Sequence, residues 1–359
     1  MKNDAGFRGM AAGACLLTLS LTGWSQLVHA DEVFRSDEGA KTYSHLDFQN
    51  NPDNFQFAVI GDRTGGHRPG VFSAGMDVLN LLQPEFVMSV GDFIVGYVDG
   101  QDDNESVLKS QWAEMDERVG ALDMPMFFVQ GNHDVNFDPS EKVWFDRVGA
   151  SRGYGHFVYK DVLFLMISTE DKPKQNVDAE LRAKYDAIKA GELTDPEVIQ
   201  QVIVELEHWA GKINISEEQV EYFEKVLASN PNVRWTIGFM HSPPWVQEDP
   251  GNFAKIESLL QDRPYTMFAG HTHTYNYTQR HGRDYIIMGM TGAGVQPTES
   301  LGNMDHVAWV TMTSDGPIIS QILLNGVMDK QGADPALQDF LLYRPRDTTG
   351  TELAPGGAD

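Results

Sequence analysis

Five times along this 359-residue chain, a short apolar run stops abruptly at a residue type that binds cations or moves protons. FQFAVIG ends in Asp62, EFVMSVG in Asp92, MPMFFVQG in Asn132-His133-Asp134, VRWTIGFM in His241, and YTMFAG in His271 and His273. Continuous apolar runs of roughly four to eight residues bounded by turn signals read as buried strands. Between the first three lie VFSAGMDVLNLLQ and NESVLKSQWAEMDERVGAL, whose apolar positions recur at helical spacing. Strands alternating with helices make a βαβαβ start with right-handed crossovers. The polar residues that follow each strand then gather at one sheet edge, where open α/β sheets bind their ligands. Asp62, Asp92 and Asn132 are therefore expected to converge.

The second half reads differently. YGHFVYKDVLFLMIS is a hairpin turning at Lys160-Asp161, and residues 170–215 form a polar, acidic, largely helical insertion over the core. SEEQVEYFEKVLASNP is a helix with Ser216 as its cap, acids in its first turn and Asn-Pro at its end. DYIIMGMTGAG repeats the strand-to-loop pattern, and HVAWVTM and PIISQILLNG close the domain as strands. The organisation is a polar arm over 31–54, one domain over 55–343, and a tail over 344–359 expected to fray.

Ahead of the arm, Lys2 and Arg8 precede an apolar run from Met10 to about Leu21, and Val28-His29-Ala30 places small residues at -3 and -1 of a cleavage site. This pattern predicts a secretory signal peptide over 1–30, and hence a periplasmic or secreted protein. The apolar run is short for a membrane span of roughly 20 residues. A lipoprotein reading through Cys15 fails because the residues before it are few and Gly-rich. No stable membrane span is expected once the signal is cleaved.

Cleavage after Ala30 removes Lys2, Arg8 and Asp4, moving the net charge from -25 to -26, and takes away the only cysteine. One cysteine excludes a disulfide framework and a cysteine-rich zinc module. With 19 Phe, 11 Tyr and 7 Trp the chain can build a sizeable core. Its 52 acids against 27 Lys+Arg repel nucleic acid at long range, so no nucleic-acid binding is expected, and small substrates are favoured over polyanions.

A single Gly-Asp is usually a turn, and a lone His-x-His is usually structural. Five such loops in this order carry more weight. One carboxylate can bridge two cations, while imidazoles, an Asn carbonyl and a second carboxylate complete a mixed N/O shell suited to Mn, Fe or Zn rather than Mg or Ca. Two such ions about 3.5–4 Å apart can hold a bridging hydroxide for in-line displacement at phosphorus.

The order GD, GD, GNHD, H, GHxH resembles the calcineurin-like metallophosphoesterase superfamily over about residues 55–325, with GNHD and GHTH as its specific parts. The resemblance implies an α/β fold, a four-layer α/β/β/α sandwich of two mixed sheets. It further implies that Asp62 and His273 hold a first metal, that Asp92 bridges, and that Asn132, His241 and His271 hold a second. His133 would be the catalytic histidine that contacts the phosphoryl oxygens or protonates the leaving group, and Asp134 would orient its imidazole. That pairing also follows from chemistry, since a general-acid His needs its other ring nitrogen fixed by an acceptor.

The first motif departs from the pattern. Much of the family has Asp-x-His, where this chain has Asp62-Arg63-Thr64, and Thr is a poor ligand. Purple-acid-phosphatase-like members recruit a Tyr three residues after the bridging Asp; that position is Val95 here, with Tyr97 two residues on. Tyr97, His67 or a water are the candidate substitutes, and the first metal is expected to bind more weakly. Arg63 reads either as a bidentate donor to the substrate phosphate or as a salt bridge.

His156 and His306 sit in strand runs and read as structural, and His281 as a solvated turn residue. Trp245 reads as a pocket wall or as buried packing, and the glycines of GMTGAG as permitting a tight path near the metals.

The sequence thus predicts an exported metal-dependent phosphoesterase for small phosphate esters, with two divalent or trivalent transition-metal ions. The alternatives are a phosphodiesterase or nucleotidase on exported nucleotides, and a metal-binding module without turnover. The complete second-metal set together with His133 favours catalysis.

Overall fold

The computed structural model describes residues 49–96, 104–135, 138–171, 179–210, 213–296 and 302–327. The expected signal peptide, the arm up to residue 48, Tyr97 and the tail lie outside the described residues. All the helices and strands of the described residues belong to the unit that begins at Pro52.

The βαβαβ start is present: β1 (Phe55–Ile60), α1 (Val71–Leu82), β2 (Val87–Ser89), α2 (Asn104–Val119) and β3 (Met126–Phe127). β1 pairs in parallel with β2, and β2 with β3, so their carboxyl ends share one edge. After α3 (Asp138–Val148), β4 (Gly155–Tyr159) and β5 (Val162–Met166) form the expected hairpin. Lys160 and Asp161 take φ of 43° and 58° at its tip, the pair of positive angles that a type I′ turn requires.

Helices α4 (Ala179–Lys189) and α5 (Pro196–Ala210) occupy the segment read as a helical insertion. In α6 (Glu217–Ser229) the Ser216 hydroxyl accepts from the Gln219 amide at 3.1 Å, satisfying one of the helix's orphan donors. The chain continues through β6 (Trp235–Phe239), α7 (Phe253–Leu260), β7 (Tyr265–Ala269), β8 (Asn276–Arg280), β9 (Arg283–Ile287), β10 (His306–Thr313) and β11 (Gly316–Leu323).

Two mixed sheets result, in the orders β11-β10-β1-β2-β3 and β4-β5-β6-β7-β9-β8. Strand alternation assigns each residue to a layer. Phe55, Phe57 and Val59 join Phe164, Phe239 and Phe268 in a core between the sheets, whereas Ala58 and Ile60 pack outward with Met76, Leu79 and Trp112 of the helices. On the second sheet, Leu163 and Leu165 pack outward with Phe223 of α6 and Phe253 of α7. The four layers are therefore helix, sheet, sheet, helix, as the resemblance implies.

Phe57 stacks on Phe86 at 5.3 Å and meets Phe164 edge-on at 5.4 Å, linking the sheets. Truncating such a core aromatic to Ala costs about 3–5 kcal/mol. This interleaving fixes where the two sets of strand ends lie relative to each other, and so builds the site.

Candidate metal centre

Asp62 follows β1 and is fully buried. The amides of Thr291 and Ala293 donate to its backbone carbonyl at 3.0 and 3.1 Å, so the GMTGAG loop runs alongside it. The His271 amide donates to its Oδ2 at 2.7 Å. Its Oδ1 is buried with no hydrogen-bond partner among the described residues. A Cβ at position 270 would stand 2.3 Å from that oxygen, which explains the glycine of the GHTH loop.

Asp92 follows β2 with φ of 61°, an uncommon angle for a residue with a side chain. His271 and His273 also have positive φ, at 72° and 56°. Non-glycine residues held in this region cluster at functional sites, where surrounding bonds impose the conformation. At Asp92 those bonds are visible: its carbonyl accepts from the Arg63 and Thr64 amides, and its Oδ1 accepts from the His133 amide at 3.0 Å.

The polar groups meet around His241, which is fully buried. Its Nδ1 lies 2.8 Å from the Val90 carbonyl, which can only accept, so Nδ1 carries the hydrogen. In the neutral imidazole Nε2 then presents a lone pair, and it faces two acceptor oxygens, Asn132 Oδ1 at 2.9 Å and Asp92 Oδ2 at 3.2 Å, with His271 Nδ1 also at 3.2 Å. His271 Nδ1 is itself 2.9 Å from Asn132 Oδ1.

Acceptors this close repel unless a cation stands among them. A proton can serve: burial pulls the His241 pKa down, but the charge and hydrogen bond of Asp92 outweigh it and push it up to about 10. A metal ion serves the same need, and the mixed imidazole, amide and carboxylate donor set suits a first-row transition metal.

Asp62, Asp92 and His273 form a second group whose candidate ligand atoms all lie within 4.8 Å of one another. His273 Nδ1 donates to the Gly294 carbonyl at 3.1 Å, turning Nε2 toward Asp62 Oδ2 at 3.4 Å. Asp92 belongs to both groups, the position of a bridging carboxylate. The two carboxyls titrate in opposite directions. Burial pushes Asp62 well up against the pull of His241, while Asp92, equally buried, is held well below the usual range by His241 and His133.

Asp134 does not orient the His133 imidazole by direct contact. Its buried carboxylate accepts from four backbone amides: Asp92 and Gly131 on Oδ2, both at 2.9 Å, and Phe93 and Ile94 on Oδ1 at 2.9 and 3.2 Å. His133 Nδ1 is instead held by the Val95 carbonyl at 2.9 Å. The physical reason lies in the turn: the Asp134 side chain faces inward under residues 91–94, whereas the His133 side chain is partly exposed. Burial, then the Asp92 charge, push the Asp134 carboxyl up to about 6 against the pull of its backbone donors.

Arg63 is buried and engaged within the protein. Its guanidinium donates to the Phe93 carbonyl at 2.7 Å and pairs with Glu114 at 2.9 Å, which makes it the salt bridge of its two readings. His67 belongs to neither ligand group; it is exposed and lines a recess of about 80 Å³ with Arg63, Arg68 and Arg118. Thr64 is buried, and its Oγ1 has no partner among the described residues.

Trp245 packs in the outer layer against Phe253 and Tyr285, not as a pocket wall. His156 contacts Tyr222, and His306 accepts from the Gly289 amide while its Nδ1 donates to Gln321, so both are structural. His281 sits in the turn before β9, with its side chain 63% exposed and a 3.9 Å contact to Glu257.

Sequence reasoning missed three carbonyls, those of Val90, Val95 and Gly294, which fix the rings of His241, His133 and His273. A backbone acceptor leaves no residue-type signature. It also missed Thr291, whose hydroxyl accepts from Gly61 and donates to the His306 carbonyl; its place in the GMTGAG loop was the available signal.

Residues 55–275 match the family model of the calcineurin-like phosphoesterases, and the chain belongs to that family. It is a metal-dependent phosphoesterase. No curated protein sequence matches it. Among solved structures it is similar to a dimetal phosphatase from Danio rerio, at 14% identity over 75% of this chain and 99% of that one, with a TM-score of 0.49. It is likewise similar to the anchor in the inner membrane complex of Plasmodium, at 14% identity over 83% and 98% of the two chains and a TM-score of 0.48. A purple acid phosphatase from yellow lupin seeds matches at 13% identity over 76% of this chain and 52% of that one, with a TM-score of 0.48.

Proposed function

We propose that this phosphoesterase is exported and hydrolyses small phosphate esters at a dinuclear centre held by Asp62, Asp92, Asn132, His241, His271 and His273. The observation that carries the reading is the meeting of candidate ligand atoms at His241 Nε2, where Asn132, Asp92 and His271 all stand within 3.2 Å. Bound transition-metal ions supply Lewis acidity to the phosphoryl oxygens and to the attacking water. The chain's own part is to hold the donors rigidly and to manage the leaving-group proton. With Nδ1 of His133 committed to the Val95 carbonyl, Nε2 is the nitrogen left to deliver that proton or to bond a phosphoryl oxygen.

Export rests on the leader pattern of residues 1–30 and places the enzyme in the periplasm or outside the cell. A net charge of -25 repels polyanions, which favours small esters as substrates. No helix of the described residues is long and apolar enough to cross a membrane.

The test is hydrolysis of p-nitrophenyl phosphate and of its bis ester by chelated protein to which Mn, Zn, Fe or Mg is returned. Turnover is expected only with metal. His133→Ala should lower kcat by about 10²–10⁴-fold while the metal content stays unchanged. Absence of metal-dependent turnover on either ester, or full activity in His133→Ala, would sink the proposal.

A further inference from the structure

The Asp134 carboxylate has an acceptor load that its sequence position does not suggest. It lies three residues from Gly131 and 42 residues from Asp92, yet it binds the amides of both, together with those of Phe93 and Ile94. All four donors are main-chain N–H groups, and the side chain is fully buried. A carboxylate accepting this many amides acts as a buckle between two loops.

The buckle is reciprocal. The carboxylate from the GNHD loop holds the backbone of Asp92, while the backbone of the GNHD loop, through the His133 amide, holds the carboxylate of Asp92 at 3.0 Å. Between these bonds Asp92 is fixed in its left-handed conformation, with Gly91 before it at φ of 94°. The loops also touch too closely for side chains: a Cβ at position 131 would stand 2.1 Å from Asp92 Oδ1. The same segment leads from Ile94, the last residue bonded to Asp134, directly to Val95, whose carbonyl holds His133 Nδ1.

We infer that Asp134 is a positioning residue that sets the Asp92 carboxylate and the His133 imidazole as one unit before any metal arrives. The inference rests on the proposed metal centre, since it assigns Asp92 the shared carboxylate. It gives Asp134 a task distinct from orienting the imidazole by direct contact. Preorganised ligands lose less freedom on binding, and supports behind metal ligands typically change metal affinity or activity by about 10–100-fold when removed.

Two measurements test it. The first is amide hydrogen exchange on chelated wild-type protein, which needs no variant. The amides of Asp92, Phe93, Ile94 and Gly131 should be protected as strongly without metal as with it. Free exchange in the chelated protein, with protection appearing only on addition of Mn or Zn, would show that the metal orders the loop and would overturn the inference.

The second compares Asp134→Asn with Asp134→Glu in the full chain. Asn keeps one acceptor oxygen but turns an NH₂ toward amides that themselves donate. It should retain cooperative unfolding, lose metal to a chelator about tenfold or more faster, and lower kcat about 10–100-fold with KM moved less than about threefold. Asp134→Glu restores the carboxylate and should recover part of the metal retention. An Asp134→Asn protein that melts earlier yet keeps wild-type metal retention and kcat would reduce Asp134 to a purely structural residue. If neither variant folds, the exchange measurement alone decides. Wild-type protein that binds metal without turnover of either ester would refute the proposed small-ester function while leaving the exchange and retention results to judge Asp134 separately.

Discussion

The half of the site around Asn132 and the half around Asp62 share Asp92 but are built differently. Around Asn132, His241 Nε2 has three neighbouring donor atoms between 2.9 and 3.2 Å, and the imidazole is locked from behind by the Val90 carbonyl. Around Asp62, His273 Nε2 lies 3.4 Å from Asp62 Oδ2, while Asp62 Oδ1 and Thr64 Oγ1 are buried without partners among the described residues. Thr64 stands where much of the family places an imidazole. The first half is densely bonded, with His241 Nε2 set among three candidate ligand atoms and its ring fixed from behind. The second is under-filled, and leans on the shared carboxylate and on the GMTGAG loop.

Removing the hub of each half should separate them most. His241→Ala is expected to strip the Asn132-side ion and lower kcat by about 10²–10³-fold, the scale of losing a principal electrostatic contact in the transition state. His273→Ala should lower activity less and leave the Asn132-side ion in place. Metal stoichiometry on both variants checks this, and loss of the same ion to the same extent in each would erase the distinction.

The support behind the Asp62 half should be sensitive to acid. Burial drops the His306 pKa from 6.5 to about 4, against the pull of Gln321. The folded imidazole is therefore neutral where the unfolded one is already charged. No stability is lost above the unfolded value; the loss begins as pH falls through 6.5 and is complete near the folded value of about 4. It amounts to about 3 kcal/mol. Comparing urea midpoints across this window for wild type and His306→Gln isolates the contribution. Equal slopes would remove His306 as the acid-sensitive support.

Arg63 sets a smaller contrast. Arg63→Ala should cost about 1–2 kcal/mol of stability, because the Phe93 carbonyl loses its side-chain donor and Glu114 keeps only Arg118 of its two arginine partners. KM should move less than about threefold. A KM raised tenfold or more would return Arg63 to the substrate.

The smallest expected effect is a gain. Thr64→His offers the Asp62 half the missing imidazole and should tighten its metal about tenfold, roughly 1.4 kcal/mol, read by competition with a chelator. Unchanged affinity would mean that another group already fills that position.

Much of the fold was legible because burial is written locally. The apolar runs before Asp62, Asp92 and His271 became β1, β2 and β7, and the cap at Ser216 and the turn at Lys160-Asp161 stand where the residue types put them. β8 escaped notice because NYTQR, at a sheet edge, is largely exposed and has no apolar run to reveal it. The ligand types were legible for a similar reason, since each follows directly on a recognisable strand.

Direction was not legible. Asp134 adjoins His133 in sequence and reads as its partner, but the turn sends the two side chains to different surroundings. Arg63 adjoins Asp62 and reads as a substrate donor, but Glu114, 51 residues away, captures it. The sequence alone determined the strand runs, the loops and the inventory of donors, because strand burial and residue chemistry are properties of short segments; the four layers came from the family resemblance. Only the tertiary structure decided which lone pairs meet and which carbonyls aim the rings. Those bonds join positions as far apart as Asp62 and His271, and they form only once two sheets have stacked with their strand ends in register.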